Sequence, residues 1–189
     1  MIHPLRALIL ATVAVAALFA AGCGNKEEVV TEGKTEGIYL DVGELKYQVQ
    51  ISRQLNPSDT EDREYLTALS PLERALAPGE TWFGVFVRVQ NDTEDTHALA
   101  RRFSIEDTTG KIFLPTPLGI NNGYAYRPAS GPLQPKAVLP KPNSTAGYGP
   151  SGGALLLFKM KNSDLANRPL VLTIVPPEGG AKGHVDLDV

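Results

Sequence analysis

Few residues of this chain combine the types and the spacing that covalent catalysis requires. The serine motif Gly-x-Ser-x-Gly is approached only at residues 149–153, Gly-Pro-Ser-Gly-Gly, where Pro150 opposes the strained strand–turn–helix elbow that activates such a serine. After residue 22 the sequence has two histidines, His97 and His184, and neither stands beside a suggestive partner. A Ser-His-Asp triad would therefore need assembly by tertiary contacts alone. We expect no catalysis, with a hydrolase as the alternative.

Metal chemistry has equally few candidate ligands. A blue-copper site requires a thiolate with two imidazoles, and the single thiol of the chain is Cys23, far from both histidines in sequence. The carboxylates and amide of residues 91–95, Asn-Asp-Thr-Glu-Asp, offer oxygen ligands of the kind that calcium prefers. Their spacing is not that of an EF-hand, and a solvated turn between two strands explains the same residues. We predict no metal and no cofactor, and keep a metal-binding protein as a second alternative.

The lone Cys23 closes the run Leu-Phe-Ala-Ala-Gly-Cys at residues 18–23. Arg6 precedes an apolar stretch, residues 7–21, which is short for a membrane-spanning helix. This pattern resembles a bacterial lipoprotein signal. The resemblance implies removal of residues 1–22, a diacylated Cys23, and a protein held by lipid on the extracytoplasmic side of the cell membrane. An uncleaved anchor and a secretory signal with an incidental cysteine are the alternatives.

Composition excludes several classes of partner and of fold. Without residues 1–22 the chain keeps 17 basic residues against 21 acidic ones, a net charge of −4. The strongest basic feature is the pair Arg101-Arg102, so we expect no nucleic-acid partner. With a single cysteine, no disulfide within the chain can form, and stability must come from a packed core. The remaining length suits one domain.

The pattern along the chain predicts mostly strands. Residues 23–36 are polar and charged, and predict a lipidated flexible spacer before a single domain at residues 37–189. Tyr47, Val49 and Ile51 alternate with polar residues, which predicts a strand with one buried face. Residues 57–77, interrupted by Pro71, predict a short helical insert. Further strands are predicted at residues 81–90, 103–106, 111–114, 155–161, 170–175 and 184–189.

Seven or eight short strands separated by turns predict an all-β protein with a two-layer antiparallel β-sandwich. Three segments carry a family resemblance: residues 79–91 (GETWFGVFVRVQN), residues 103–111 (FSIEDTTGK) and residues 155–159 (LLLFK). They resemble the immunoglobulin-like (telokin-like) domains of small secreted bacterial lipoproteins, many of them of unknown function. The resemblance covers residues 79–189 and implies an immunoglobulin-like fold. It transfers no catalytic residue.

Residues 115–153 are rich in proline and glycine, a composition that opposes a regular helix or a long central strand. Loops held by a rigid scaffold frequently carry function. The candidate partner-binding residues of this loop are Tyr124, Tyr126, Arg127 and Tyr148. We therefore predict a lipid-anchored binding or interaction module of the bacterial cell envelope with a protein partner there. An envelope hydrolase, a metal-binding lipoprotein and a purely structural spacer are the alternatives.

Overall fold

The computed structural model describes residues 28–188. The predicted signal peptide, residues 1–22, and the predicted lipidation site Cys23 lie outside the described residues. Among residues 28–188, no helix is both long enough and apolar enough to cross a membrane.

Among residues 28–188, ten strands form two five-stranded sheets, which confirms the predicted β-sandwich. The first sheet has the order β1-β10-β9-β5-β6, with β1 (Glu32–Gly33), β5 (Arg102–Glu106), β6 (Ile112–Phe113), β9 (Leu170–Val175) and β10 (Gly183–Leu187). The second contains β2 (Tyr39–Val42), β3 (Leu45–Leu55), β4 (Glu80–Gln90), β7 (Val138–Leu139) and β8 (Ala154–Lys161). In this second sheet β3 lies on one side of β4, while β7 and β8 share the other. Strands β1 and β10 are parallel, and the other pairs are antiparallel.

The main core lies between the two sheets. Strand β4 contributes Phe83, Val85, Val87 and Val89 to it, as the alternation of residues 81–90 predicts. The opposite face of β4 is also buried, because Trp82 and Phe86 belong to a second apolar cluster. A strand buried on both faces is a central strand of its sheet.

The helical insert covers the outer face of the second sheet. It contains α1 (Thr60–Tyr65) and α2 (Pro71–Arg74), the short helical turns predicted for residues 57–77. Asp59 caps α1 by accepting hydrogen bonds from the backbone N–H groups of Glu61 and Asp62. Tyr65, Leu66 and Leu69 pack in the second cluster, so the insert covers Trp82 and Phe86 from outside.

A β-bulge in β3 places Ile51 on the face of the sheet opposite to the predicted one. Strand β3 pairs in register with β4 up to Val49, and the register then shifts before Ile51. The shift turns Ile51 outward, where its side chain is 38% exposed, while Ser52 becomes buried. The prediction that Ile51 shares the buried face of Tyr47 and Val49 is therefore wrong, because one extra residue in a strand reverses all later side chains.

The segment predicted as a flexible spacer is hydrogen-bonded to the β-sandwich from Val30 onward. The backbone N–H of Asp41 donates to the Val30 carbonyl at 2.6 Å, and that of His184 donates to the Thr31 carbonyl at 2.8 Å. The Glu36 carboxylate accepts hydrogen bonds from the backbone N–H groups of Ser52 and Asp188. The first sheet therefore begins at Glu32 instead of after residue 36. A strand of two residues is too short to show a period in the sequence.

Candidate functional site

An apolar groove opens where the Pro- and Gly-rich loop crosses the edge of β8. Its volume is about 550 Å³. Its lining includes residues 155–157 of β8, Phe103 of β5, residues 115–118, residues 126–130, and two arginines, Arg101 and Arg127. We call this the Arg-rimmed groove.

Backbone hydrogen bonds attach both walls of the Arg-rimmed groove to β8. The N–H of Thr116 donates to the Leu157 carbonyl at 2.6 Å. The N–H of Tyr126 donates to the Leu155 carbonyl at 2.9 Å, and the N–H of Leu155 donates to the Tyr124 carbonyl at 2.7 Å. Two loop segments thus cover the edge of β8, which would otherwise present unpaired backbone groups.

Tyr126 belongs to the core beneath the Arg-rimmed groove. It is 9% exposed, and its ring meets that of Phe103 edge-on with 5.0 Å between the centroids. Its hydroxyl donates to the Ala100 carbonyl at 3.0 Å. Burial, with a smaller effect of the neighbouring Tyr47, raises the Tyr126 pKa well above its usual value, so the phenol stays a neutral donor. Tyr126 is therefore mainly a core residue, although it also lines the groove.

Arg127 shapes the wall of the groove. Its Nη2 donates to the Gly119 carbonyl at 2.8 Å and to the Asn122 carbonyl at 2.5 Å, which closes the chain between residues 119 and 127 into a compact turn. The side chain stays half-buried at the lip of the groove. Arg127 therefore combines a structural role with a place in the lining.

Asn122, which the sequence pattern does not mark as functional, joins this turn to the helical insert. It is 1% exposed, and its Nδ2 donates to the carbonyls of Tyr65 at 2.8 Å and Thr67 at 2.9 Å. Its Oδ1 accepts from the backbone N–H of Tyr124 at 2.9 Å. The signal in the sequence is weak, since Asn in a Gly-rich loop is an ordinary turn residue.

Tyr124 braces the loop against α1. Its hydroxyl donates to the Glu64 carboxylate at 2.7 Å, and its ring meets that of Tyr65 edge-on at 4.7 Å. Partial burial, followed by the hydrogen bond to Glu64, raises the pKa of Tyr124 to about 12. Tyr124 is not among the residues that line the Arg-rimmed groove.

The charge of the Arg-rimmed groove has one sign. Arg101 is exposed and has no ion pair or hydrogen bond with any of residues 28–188. No Asp or Glu of the described part of the chain lines the groove, although the whole chain carries a net charge of −3. Ile120 lies on the rim with 87% of its side chain exposed. The site therefore offers an apolar surface beside a free guanidinium.

The fourth candidate, Tyr148, lies elsewhere. It ends the single helical turn α3 (Thr145–Tyr148), is 80% exposed, and lines a separate recess with Arg88. The structure thus divides the four predicted residues: Tyr126 and Arg127 build the Arg-rimmed groove, Tyr124 braces the loop, and Tyr148 belongs to another recess.

The residues weighed for catalysis or metal binding have local partners. The His97 ring lies 2.8 Å from the Thr93 hydroxyl, and the His184 ring lies 3.1 Å from the Thr173 hydroxyl. Asn91 is buried, and its Nδ2 donates to the carbonyls of Asp95, Leu133 and Gln134. Among residues 28–188, no three His, Cys, Asp or Glu side chains cluster as metal ligands.

No protein-family model matches this chain, and no curated protein matches it. Two solved structures are similar in fold. One is an uncharacterized β-sandwich protein from Clostridium difficile 630, with 11% identity over 88% of this chain and 100% of that chain and a TM-score of 0.47. The other is a functionally unknown protein from Listeria monocytogenes EGD-e, with 10% identity over 75% of this chain and 70% of that chain and a TM-score of 0.46.

Proposed function

We propose that this chain is a lipid-anchored, extracytoplasmic binding protein of the bacterial cell envelope. In this proposal the β-sandwich holds the Arg-rimmed groove open for an apolar segment of an envelope protein that carries an acidic residue. The observation that carries the proposal is the groove itself. Within the described residues it has an apolar floor, an unpaired arginine and no carboxylate, and hydrogen bonds hold its loop in place.

The chemistry of the groove supports this occupant. Apolar side chains of a partner would bury surface against residues 155–157 and Ile120, at roughly 25 cal/mol for each Å² removed from water. A carboxylate of the partner would pair with the guanidinium of Arg101, which has no partner among the described residues. Because Arg127 and Asn122 already hold the loop, binding would cost little ordering of the backbone.

The finer fold assignment is part of the same proposal. Strands β10, β9, β5 and β6 lie in the order of strands G, F, C and C′ of an immunoglobulin variable-type sheet. In the other sheet, β3, β4 and β8 follow the order A, B, E. This agreement supports an immunoglobulin-like domain of the kind that the sequence resembles, and the run at residues 18–23 supports the lipid anchor.

Site-specific photocrosslinking in living cells tests the groove. A photoreactive residue at Ile120, which is 87% exposed on the groove rim, is expected to capture one envelope protein. The same residue at Leu72, which is 86% exposed on α2, is the matched control and is expected not to capture it. Arg101→Glu should abolish the crosslink at position 120 through charge reversal.

The charge control is Lys182→Glu, an equal reversal at an exposed position outside the groove, which should leave the crosslink intact. A captured protein that contacts the chain through an apolar, acidic segment supports the proposal. Equal capture from positions 72 and 120, or a crosslink that survives Arg101→Glu, would show that the groove is not the binding site.

A further inference from the structure

A second recess, on the outer face of the second sheet, contains an arginine that pairs with no carboxylate of residues 28–188. The recess has a volume of about 280 Å³. We call it the Arg88 pocket; its lining includes Arg88, Pro140, Pro142, Asn143, Tyr148 and Gly152. It shares no lining residue with the Arg-rimmed groove, so a ligand of the Arg88 pocket would bind independently of the partner proposed for the groove.

Arg88 points away from the main core. Its neighbours in β4, Val87 and Val89, are fully buried between the sheets, and alternation turns Arg88 to the opposite face. The side chain is half-buried, and its Nε is fully covered yet has no hydrogen-bond partner among the described residues. No carboxylate of residues 28–188 pairs with it.

The polar residue opposite Arg88 in the sheet is already engaged. Gln48 lies opposite it on β3, but its Nε2 donates to the Gly37 carbonyl and its Oε1 accepts from Gln50. A partly desolvated guanidinium is costly unless a carboxylate or another acceptor satisfies it. Arg88 therefore presents a cation without a carboxylate partner to the pocket that it lines, and an anionic ligand in that pocket would satisfy it.

The opposite wall of the Arg88 pocket is rigid. The Ser144 Oγ accepts from the Gly147 N–H at 3.1 Å and donates to the Lys141 carbonyl at 2.7 Å. A Cβ at Gly147 would lie 2.2 Å from the Lys141 oxygen, so the backbone here is packed as closely as glycine allows. This packing holds the exposed Tyr148 ring and the Asn143 amide at the mouth of the pocket.

We propose that the Arg88 pocket binds a carboxylated sugar. The two Nη groups of the Arg88 guanidinium pair with the two oxygens of the sugar carboxylate in a bidentate arrangement. The apolar face of the sugar ring packs on Tyr148, and the Asn143 amide hydrogen-bonds a ring hydroxyl. The volume lies just under the ~300–1,000 Å³ that is usual for small-molecule sites, which suits a single ring.

Titration of the purified full chain, followed by NMR, tests the proposal. Glucuronic acid is the probe; glucose, which lacks the carboxylate, and acetate, which lacks the ring, are the comparators. We expect glucuronate to give saturable shifts at the Arg88 side-chain Nε–H and the Tyr148 ring. Arg88→Gln and Tyr148→Ala should each weaken binding at least about ten-fold, equivalent to about 1.4 kcal/mol. Arg102→Gln, the same change at an exposed position on β5, should leave binding unchanged.

Arg88→Lys keeps the positive charge but loses the planar guanidinium that can donate two parallel hydrogen bonds. This variant is expected to bind glucuronate with intermediate affinity. It also shows whether a loss in Arg88→Gln reflects the site or the fold. The proposal is overturned if glucuronate gives no saturable shifts, or if folded Arg88→Gln binds as tightly as the wild type. It is also overturned if acetate binds as tightly as glucuronate while Tyr148→Ala has no effect, since the pocket would then be a simple anion site.

Discussion

Asp107 organises the turn between β5 and β6 with one carboxylate. Its Oδ1 accepts hydrogen bonds from the backbone N–H of Thr109 at 2.9 Å, the Thr109 hydroxyl at 2.6 Å and the backbone N–H of Lys111 at 3.0 Å. Its Oδ2 accepts from Asn167 at 3.0 Å. The Thr109 hydroxyl has the largest effect, and together these donors lower the pKa of Asp107 to about 2.

This depressed pKa predicts a pH dependence of stability. The charged carboxylate stabilises the fold fully above the usual aspartate pKa of about 3.9, and this contribution is lost as the pH falls through about 2. We therefore expect the difference in free energy of unfolding between the wild type and Asp107→Asn to be constant above pH 4 and to shrink between pH 4 and pH 2. Urea denaturation at stepped pH measures it. Parallel stability curves across that range would contradict the prediction.

The arginines show how partners decide the role of a side chain. The Nη2 of Arg127 donates hydrogen bonds to two loop carbonyls, so the role of this side chain is mainly structural. Arg53 pairs with the buried Asp62, which holds α1 against β3. Arg101 and Arg88 have no such partner among the described residues, which is why both proposals rest on them. Residue type alone does not separate these four cases.

At the scale of elements, the short strand β1 joins the two sheets. It pairs with β10 in the first sheet, while the Val30 carbonyl just before it accepts from Asp41 of β2 in the second. Thr35 and Glu36 just after it bind Asp188. Val30 also packs against the main core. The segment therefore stabilises the sandwich far beyond its two-residue strand.

Removal of this segment is expected to destabilise the domain. A fragment that begins at Gly37 loses several hydrogen bonds and the packing of Val30, so its free energy of unfolding should be lower by at least about 2 kcal/mol than that of a fragment beginning at Glu28. A fragment that begins at Val30 lacks only two exposed residues and is the control. Urea denaturation of the three fragments measures the difference; equal stability of all three would show that β1 contributes nothing.

Elements with a strong local signal were predictable. Strands β4 and β9 alternate or run apolar over six residues or more, and the turn at Asp107 to Gly110 has the residues that such a turn requires. The bulge before Ile51 and the two-residue strands β1 and β7 were not, because their positions follow from neighbouring strands and not from their own residues. For the same reason, the sequence did not predict the two loop segments that cover the edge of β8.

At the scale of the whole molecule, the described chain starts at one end of the sandwich. Val29 lines a recess there with the turn after β2, His97 and residues 176–181 between β9 and β10. Six residue steps separate Cys23 from Val29, so this end lies at most about 22 Å from the thiol. If Cys23 is acylated, as we propose, the tether keeps Val29 within this distance of the lipid-bearing residue.

Acylation predicts a single labelled position. In cells grown with an alkyne-tagged fatty acid, the wild-type chain should carry the label and remain with the membrane fraction. Cys23→Ser should carry none, because Cys23 is the only thiol. Asn25→Ser, a change to the same residue two positions later, should keep the label. An unlabelled wild type, or label that persists in Cys23→Ser, would exclude the lipid anchor at this residue.

The sequence by itself determined the class of fold, the helical insert and the turn between β5 and β6, because hydrophobic period and turn chemistry act between residues close along the chain. Only the tertiary structure decided which loop residues are accessible. Tyr126 lies in the core because Ala100 and Phe103, more than twenty residues away, surround it, while Tyr148 finds no such cover. Accessibility and pairing depend on groups distant in sequence, so the Arg-rimmed groove and the Arg88 pocket emerge only when both sheets and the loop are assembled.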